Sequence, residues 1–246
     1  MKYSCQNLTQ LINTLGQLKS DLDLALGREK PDIEKGLRCQ KEATEIISKL
    51  NYFGISLKTY NFLVEKVGNH VELEKRISSL EIGGDSAEQL QTKLEAIDPK
   101  TGNRKFNIPG YTQRMIDEMY KGEEFQKLAA SAEKIQTILL KVGHLGFTSN
   151  PTTDQIYARA FELGLELCPA GVGPYQLLKA GDQPMEGWHR IAMKQIAGLD
   201  GNPSVFGMGY FRGILCFSGD WMEPNRRLNV DPELMFRLRE PNQSHK

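Results

Sequence analysis

Apolar residues repeat at spacings of three and four along the first 145 residues. That spacing puts them on one face of a helix, and glycines such as Gly68 stand where helices end. Ser56 and the pair Ser86 with Gln89 are typical of helix N-termini. We therefore expect a helical bundle, with apolar stripes from Leu8 to Leu26, Ile33 to Leu50, Leu57 to Val67, Leu73 to Leu80, Leu90 to Ile97, Met115 to Met119 and Phe125 to Val142.

A helix opens the second half of the chain. Either Asn150 or Thr152 caps its start, and Gly164 ends it. A loop rich in glycine and proline then follows at residues 169–174. Beyond this loop we expect residues 175–179 to form an extended segment.

Strands follow, because apolar and polar residues alternate from Trp188 onward. Asp200-Gly201 and Arg212-Gly213 are typical of the turns between antiparallel strands. The resulting prediction is an α+β fold. It has a helical domain at residues 1–145, a helix packed on a small antiparallel sheet at residues 146–240, and a frayed tail at residues 241–246.

Two glycines mark one face of the predicted strand from Val205 to Phe211. Gly207 and Gly209 lie two residues apart, so they point to the same side of the sheet. Glycines in a strand usually mark a close approach by a bulky group or a bend. We therefore expect either a large side chain against this face or a bend in the strand.

The charge balance narrows the classes of partner. The 246 residues include 31 basic and 31 acidic side chains, so the net charge is zero. Proteins that bind nucleic acid or anionic membranes as their main partner usually carry a basic excess. The sequence also shows no membrane-spanning segment, no signal peptide and no paired cysteines. We expect a cytoplasmic protein without a membrane partner, and delivery as an effector stays open.

Candidate catalytic residues are Cys168, His189 and Tyr175. A thiol near an imidazole is the chemistry of a cysteine hydrolase. The alternative for Cys168 is a small buried residue, and for His189 a hydrogen-bonded residue at the edge of the core. The four histidines are scattered, so we expect no metal site and no cofactor. The loop at residues 170–174 is interpreted as a turn, because a strand is expected after it where a phosphate loop would lead into a helix.

Candidate binding residues are basic and aromatic side chains of the predicted sheet, since such faces hold single-stranded nucleic acid. Residues 146–246 nevertheless hold ten Lys and Arg against eleven Asp and Glu, so a solvated face of mixed charge is the favoured interpretation. The candidates are Trp188, Arg190, Arg212, Trp221 and Arg237.

The stretch TTDQIYARAFELGLELCPAGVGPYQLL resembles the signature of a small bacterial protein group of uncharacterised function. Proteins of that group read like "ELGLELCPAEVGPQLRL", followed by a run like "EWLRIAM", and the resemblance covers about residues 147–240. It implies an independent C-terminal module and carries over no functional residue. This chain departs from the signature at Gly171, where an acidic residue is usual.

Two functions remain as hypotheses. The first is a noncatalytic module that interacts with a protein or a small ligand. The second is an enzyme of unknown class with its site in a cleft between the two halves. Weak binding of single-stranded nucleic acid is a further alternative.

Overall fold

The computed structural model describes residues 56–182, 187–198 and 201–239, and individual positions of 14–44. The predicted helices at 8–26 and 33–50, Asp200 of the predicted turn and the tail at 241–246 lie wholly or mostly outside these residues. The helices are α1 (Leu57–Val67), α2 (His70–Lys75), α3 (Ala87–Leu94), α4 (Gly110–Lys121), α5 (Glu123–Ala130), α6 (Thr153–Glu162) and α7 (Val172–Asp182), with a 3₁₀ turn at Val142–Leu145. The strands are β1 (Ile77–Ile82), β2 (Phe106–Asn107), β3 (Glu133–Lys141), β4 (Leu165–Glu166), β5 (Trp188–Ile191), β6 (Ile196–Ala197), β7 (Pro203–Phe211), β8 (Ile214–Trp221) and β9 (Glu233–Leu238).

The fold is α+β, but its centre is one mixed sheet of nine strands that curls into a half-barrel. The strand order is β1-β3-β9-β5-β7-β8-β2, with β4 beside β9 and β6 beside β7. Strand β5 runs parallel to β9, and β2 runs parallel to β8. The prediction of an N-terminal helical bundle followed by a small antiparallel sheet is therefore wrong.

Strands β1 and β3 account for most of that error, because both fall in segments predicted as helix. They pair antiparallel over six residues, with Ile77 opposite Ile138. The segment predicted as one helix from Phe125 to Val142 is helix α5 only as far as Ala130. Beyond it, Ile135, Thr137 and Ile138 are β-branched and pack well on a pleated surface. Tertiary pairing thus overrides the three-and-four spacing of the leucines.

Several predicted helix ends are confirmed. The Ser56 hydroxyl accepts the backbone N–H of Thr59 at the start of α1. Ser86 and Gln89 form a reciprocal capping box at α3. Of the two alternatives for α6, Thr152 is the cap, and Gly164 follows the helix with φ +75°.

Helix α7 replaces the extended segment predicted at residues 175–179. Pro174 lies in its first turn, where the missing N–H costs nothing. The helix packs against β1, β7 and β8. Its approach is close, because a Cβ at Gly173 would lie 2.9 Å from the ring of Phe206, which stacks on Phe217.

The chain divides into two compact units. One comprises residues 76–238 and contains the whole sheet, and the other comprises residues 1–75 with 239–246. Strands β3 and β9, which lie on either side of residue 145, pair over five residues.

Candidate functional site

A cleft of about 820 Å³ opens between helices α4 and α5 and the sheet. Helix α5 and the end of α4 form one wall. The loop before α7, the segment before β6, and β9 form the other. Its charged lining residues are Glu118, Glu123, Glu124, Lys127, Glu133, Lys194 and Arg237.

The loop from Pro169 to Gly171 is held against α5. The backbone N–H of Ala170 donates to Glu124 Oε2 at 3.2 Å. A Cβ at Gly171 would lie 2.5 Å from Leu128 Cδ2, so a side chain at this position would require the Leu128 side chain to shift.

Arg237 lies on the sheet side of the cleft. Its side chain is only 15% exposed, and its Nη1 lies 3.7 Å from Glu133 Oε1. Charge-assisted hydrogen bonds between such groups are usually 2.7–2.9 Å long, so this ion pair is loose. Lys194 is exposed and lines the same cleft.

Carboxylates are concentrated on the helical wall. Glu118, Glu123 and Glu124 belong to α4 and α5, and Lys121 Nζ contacts Glu118 at 2.6 Å. Arg237 and Lys194 lie on the other wall. The helical wall also carries Lys127, and Glu133 lies beside Arg237 on the sheet side. An excess of negative charge therefore faces an excess of positive charge across the cleft, which is an arrangement that orients a dipolar ligand.

Cys168, His189 and Tyr175 lie in three different environments. The buried Cys168 thiol donates to the carbonyl of Met235 at 3.5 Å, and burial raises the pKa of this thiol far above its usual range. His189 is buried beside Glu233, with 3.5 Å between Nε2 and Oε2. Tyr175 lies beside a separate cavity of about 390 Å³. Burial, and then the charge of Asp85, raise its pKa to about 12.

Trp188 and Arg190 share one carboxylate. The indole Nε1 of Trp188 donates to Asp220 Oδ2 at 2.9 Å, and Arg190 Nε lies 2.9 Å from the same oxygen. The Trp188 ring packs on Gly207 and Gly209, as a Cβ at Gly209 would lie 2.9 Å from its Cε3 atom. Of the two alternatives expected for these glycines, the structure shows a large side chain packed against them.

The other binding candidates are more exposed. Trp221 lies under the guanidinium of Arg226, 5.1 Å from the ring centroid, and Arg226 also donates to the Trp221 carbonyl. Arg212 forms the turn between β7 and β8 with φ 52°, and its guanidinium lies 5.2 Å from the Phe211 ring centroid. Of the five candidates, Arg237 alone lines the 820 Å³ cleft.

The charged residues of the helical wall were missed by sequence reasoning. Glu118 lies in the predicted helix from Met115 to Met119, and Glu123 and Glu124 directly precede the predicted helix from Phe125 to Val142. Neither prediction placed these residues opposite Arg237. The β-branched run from Ile135 to Ile138 was the available signal for a strand there.

No group of three potential metal ligands occurs among the described residues. Within the same residues, no helix has the length and apolar character needed to cross a bilayer. Comparisons with protein-family models, curated proteins and solved structures return no match to this chain.

Proposed function

We propose that the protein is a noncatalytic binding module whose cleft holds a small dipolar ligand, with a carboxylate or phosphate at one end. The observation that carries the proposal is the position of Arg237. Its guanidinium is largely withdrawn from water and lies on the wall of a cleft large enough for such a ligand. A guanidinium binds carboxylate and phosphate through two parallel hydrogen bonds.

The opposite wall limits the class of ligand. Glu118, Glu123 and Glu124 would repel a polyanion, so a nucleic acid fits this cleft poorly. A single acidic group next to Arg237, with a cationic or donor-rich end towards the glutamates, matches both walls. Free amino acids are the simplest compounds with that pattern.

The geometry supports binding more than catalysis. Cys168 is buried, and the raised pKa of its thiol disfavours the nucleophilic thiolate. His189 lies beside Glu233, and Tyr175 lies beside a separate cavity, so the environments of both residues differ from that of Cys168. An enzyme built on these three residues stays a prediction.

The test is a titration followed by amide NMR chemical shifts, with L-glutamate and inorganic phosphate as probes. We expect saturable shifts near Ala170 and Lys194 in the millimolar range. Arg237→Gln weakens binding at least about tenfold, because a hydrogen-bonded charge pair is lost. Arg212→Asn removes an arginine outside the cleft, tolerates the positive φ, and leaves the affinity unchanged. The absence of saturable shifts with both probes, or equal affinities for wild type and Arg237→Gln, would contradict the proposal.

A further inference from the structure

The tip of the β7–β8 hairpin extends past the paired ends of β5 and β2. Strand β5 pairs with β7 only as far as Gly209, and β2 pairs with β8 only from Leu215. The turn itself is tight, with positive φ at both Arg212 and Gly213. Both central residues of a type I′ turn have positive φ, and this turn matches the twist of the strands it joins. The tip is thus a tight two-residue turn with a well-defined conformation.

Exposed apolar side chains are concentrated at this tip. Phe211 is 61% exposed, and Tyr210 and Ile214 are exposed as well. Ile97 joins them, because it bridges to Arg104 on the segment that leads into β2. Four of the seven large exposed hydrophobic residues described in the unit at residues 76–238 lie here. We call these four residues the tip patch.

Cations surround the tip patch. Strand β2 runs parallel to β8 with Phe106 opposite Leu215, so Arg104 and Lys105 run beside the turn. Arg212 adds a third positive charge at the apex. The nearby Asp98 accepts the backbone N–H of Lys100, which lowers the pKa of its carboxyl and keeps it negatively charged, so three cations stand against one anion here.

We propose that the tip patch inserts into the interface of an anionic lipid membrane. Exposed aromatic and aliphatic side chains at a hairpin turn gain free energy by entering the boundary between headgroups and acyl chains. Arg212 at the turn and Arg104 beside it supply positive charge for the anionic headgroups. This patch is separate from the cleft, so the inference does not depend on the proposed ligand. The net charge of the whole chain is zero. The fold nevertheless brings several cations together, so there is a local excess of positive charge beside the tip patch.

Vesicle co-sedimentation tests the proposal with the full-length chain. The vesicles contain phosphatidylcholine alone or a mixture with phosphatidylserine. We expect binding to the mixed vesicles only, weakened by high salt. Phe211→Ser lowers the partition coefficient at least about tenfold, and Arg212→Asn lowers it about fivefold. Phe161→Ser is the matched control and leaves binding unchanged, since Phe161 is 53% exposed but lies on α6.

The folded state of each variant is checked by its thermal unfolding midpoint. The proposal is overturned by absence of binding to both vesicle types, by equal binding to both, or by equal losses in Phe211→Ser and Phe161→Ser. Poly-L-glutamate serves as a protein-like anionic probe. Binding to it that requires Phe211, without binding to vesicles, also overturns the membrane proposal and assigns the patch to an acidic protein partner.

Discussion

Arg190 and Arg237 lie on neighbouring strands of one sheet and are almost equally withdrawn from water, with side chains 20% and 15% exposed. Arg190 Nε lies 2.9 Å from Asp220 Oδ2, and the same oxygen accepts the indole N–H of Trp188. Arg237 lies 3.7 Å from Glu133, which is itself 41% exposed, stands opposite Glu166 in the β4–β9 pair, and lines a cleft. Residue type and burial are therefore poor guides to role, and the position of Arg237 on the cleft wall distinguishes the two sites.

Trp188, Arg190 and Asp220 form a cluster in which Trp188 and Asp220 pack tightly against Gly207, and Trp188 also packs against Gly209. Gly209→Ala tests that packing most severely, because the added Cβ would lie 2.5 Å from the Gly187 carbonyl oxygen and 2.9 Å from the Trp188 ring. We expect a loss of about 3 kcal/mol in the free energy of unfolding, measured by urea denaturation. Gly110→Ala is the control, since a Cβ there meets nothing within 4 Å. Equal stabilities of the two variants would show that the cluster is loosely packed.

The next-largest loss of stability is expected when the Asp220 carboxylate, which Trp188 and Arg190 share, is removed. Asp220→Ala leaves the Arg190 charge and the Trp188 N–H without the oxygen that now accepts from both. We expect a loss of about 2–3 kcal/mol in the same measurement. The exposed Asp231 provides the control, and Asp231→Ala is expected to change stability by less than about 0.5 kcal/mol. A loss as small as the control's would remove the distinction between the two arginines.

The corresponding change in the cleft has a smaller effect. Glu133→Ala removes a loose contact to a half-exposed group, so we expect a loss of less than about 1 kcal/mol. The prediction fails if Glu133→Ala is as destabilising as Asp220→Ala, because the Glu133–Arg237 contact would then be as firm as the Asp220–Arg190 contact. Urea denaturation of both variants side by side makes the comparison.

His144 makes the stability of the folded protein depend on pH. Burial, and then the charges of Arg76 and Lys141, lower its pKa to about 4. The unfolded chain therefore takes up a proton near pH 6.5 while the folded protein does not, and stability falls as the pH drops from about 6.5 to about 4. His144→Asn keeps an acceptor for the Lys141 N–H and removes this titration. We expect the variant to lose less stability than wild type over that range in pH-dependent thermal unfolding, and an identical loss would exclude His144 as the cause.

The sequence predicted local features, such as helix caps, better than it predicted how distant segments pair into the sheet. Ser56, Ser86 and Thr152 act through residues three positions away, so their caps can be read from the chain. The pairing of β1 with β3 depends on residues about sixty positions apart, and the leucine spacing there fits a helix as well. The cleft could not be predicted for the same reason, since Glu124 and Arg237 come to line the same cleft only once the sheet has formed. Gly207 and Gly209 are the exception, because a missing side chain on a strand itself indicates a bulky neighbour.

The central claim is that Arg237 binds a ligand whereas Arg190 maintains the fold. Isothermal titration with L-glutamate, paired with urea denaturation, tests both parts in Arg237→Gln and Arg190→Gln. We predict that Arg237→Gln loses affinity at least about tenfold with little change in stability, while Arg190→Gln loses about 2 kcal/mol of stability and keeps the wild-type affinity. Equal affinities in the two variants, or a loss of binding confined to Arg190→Gln, would contradict the account.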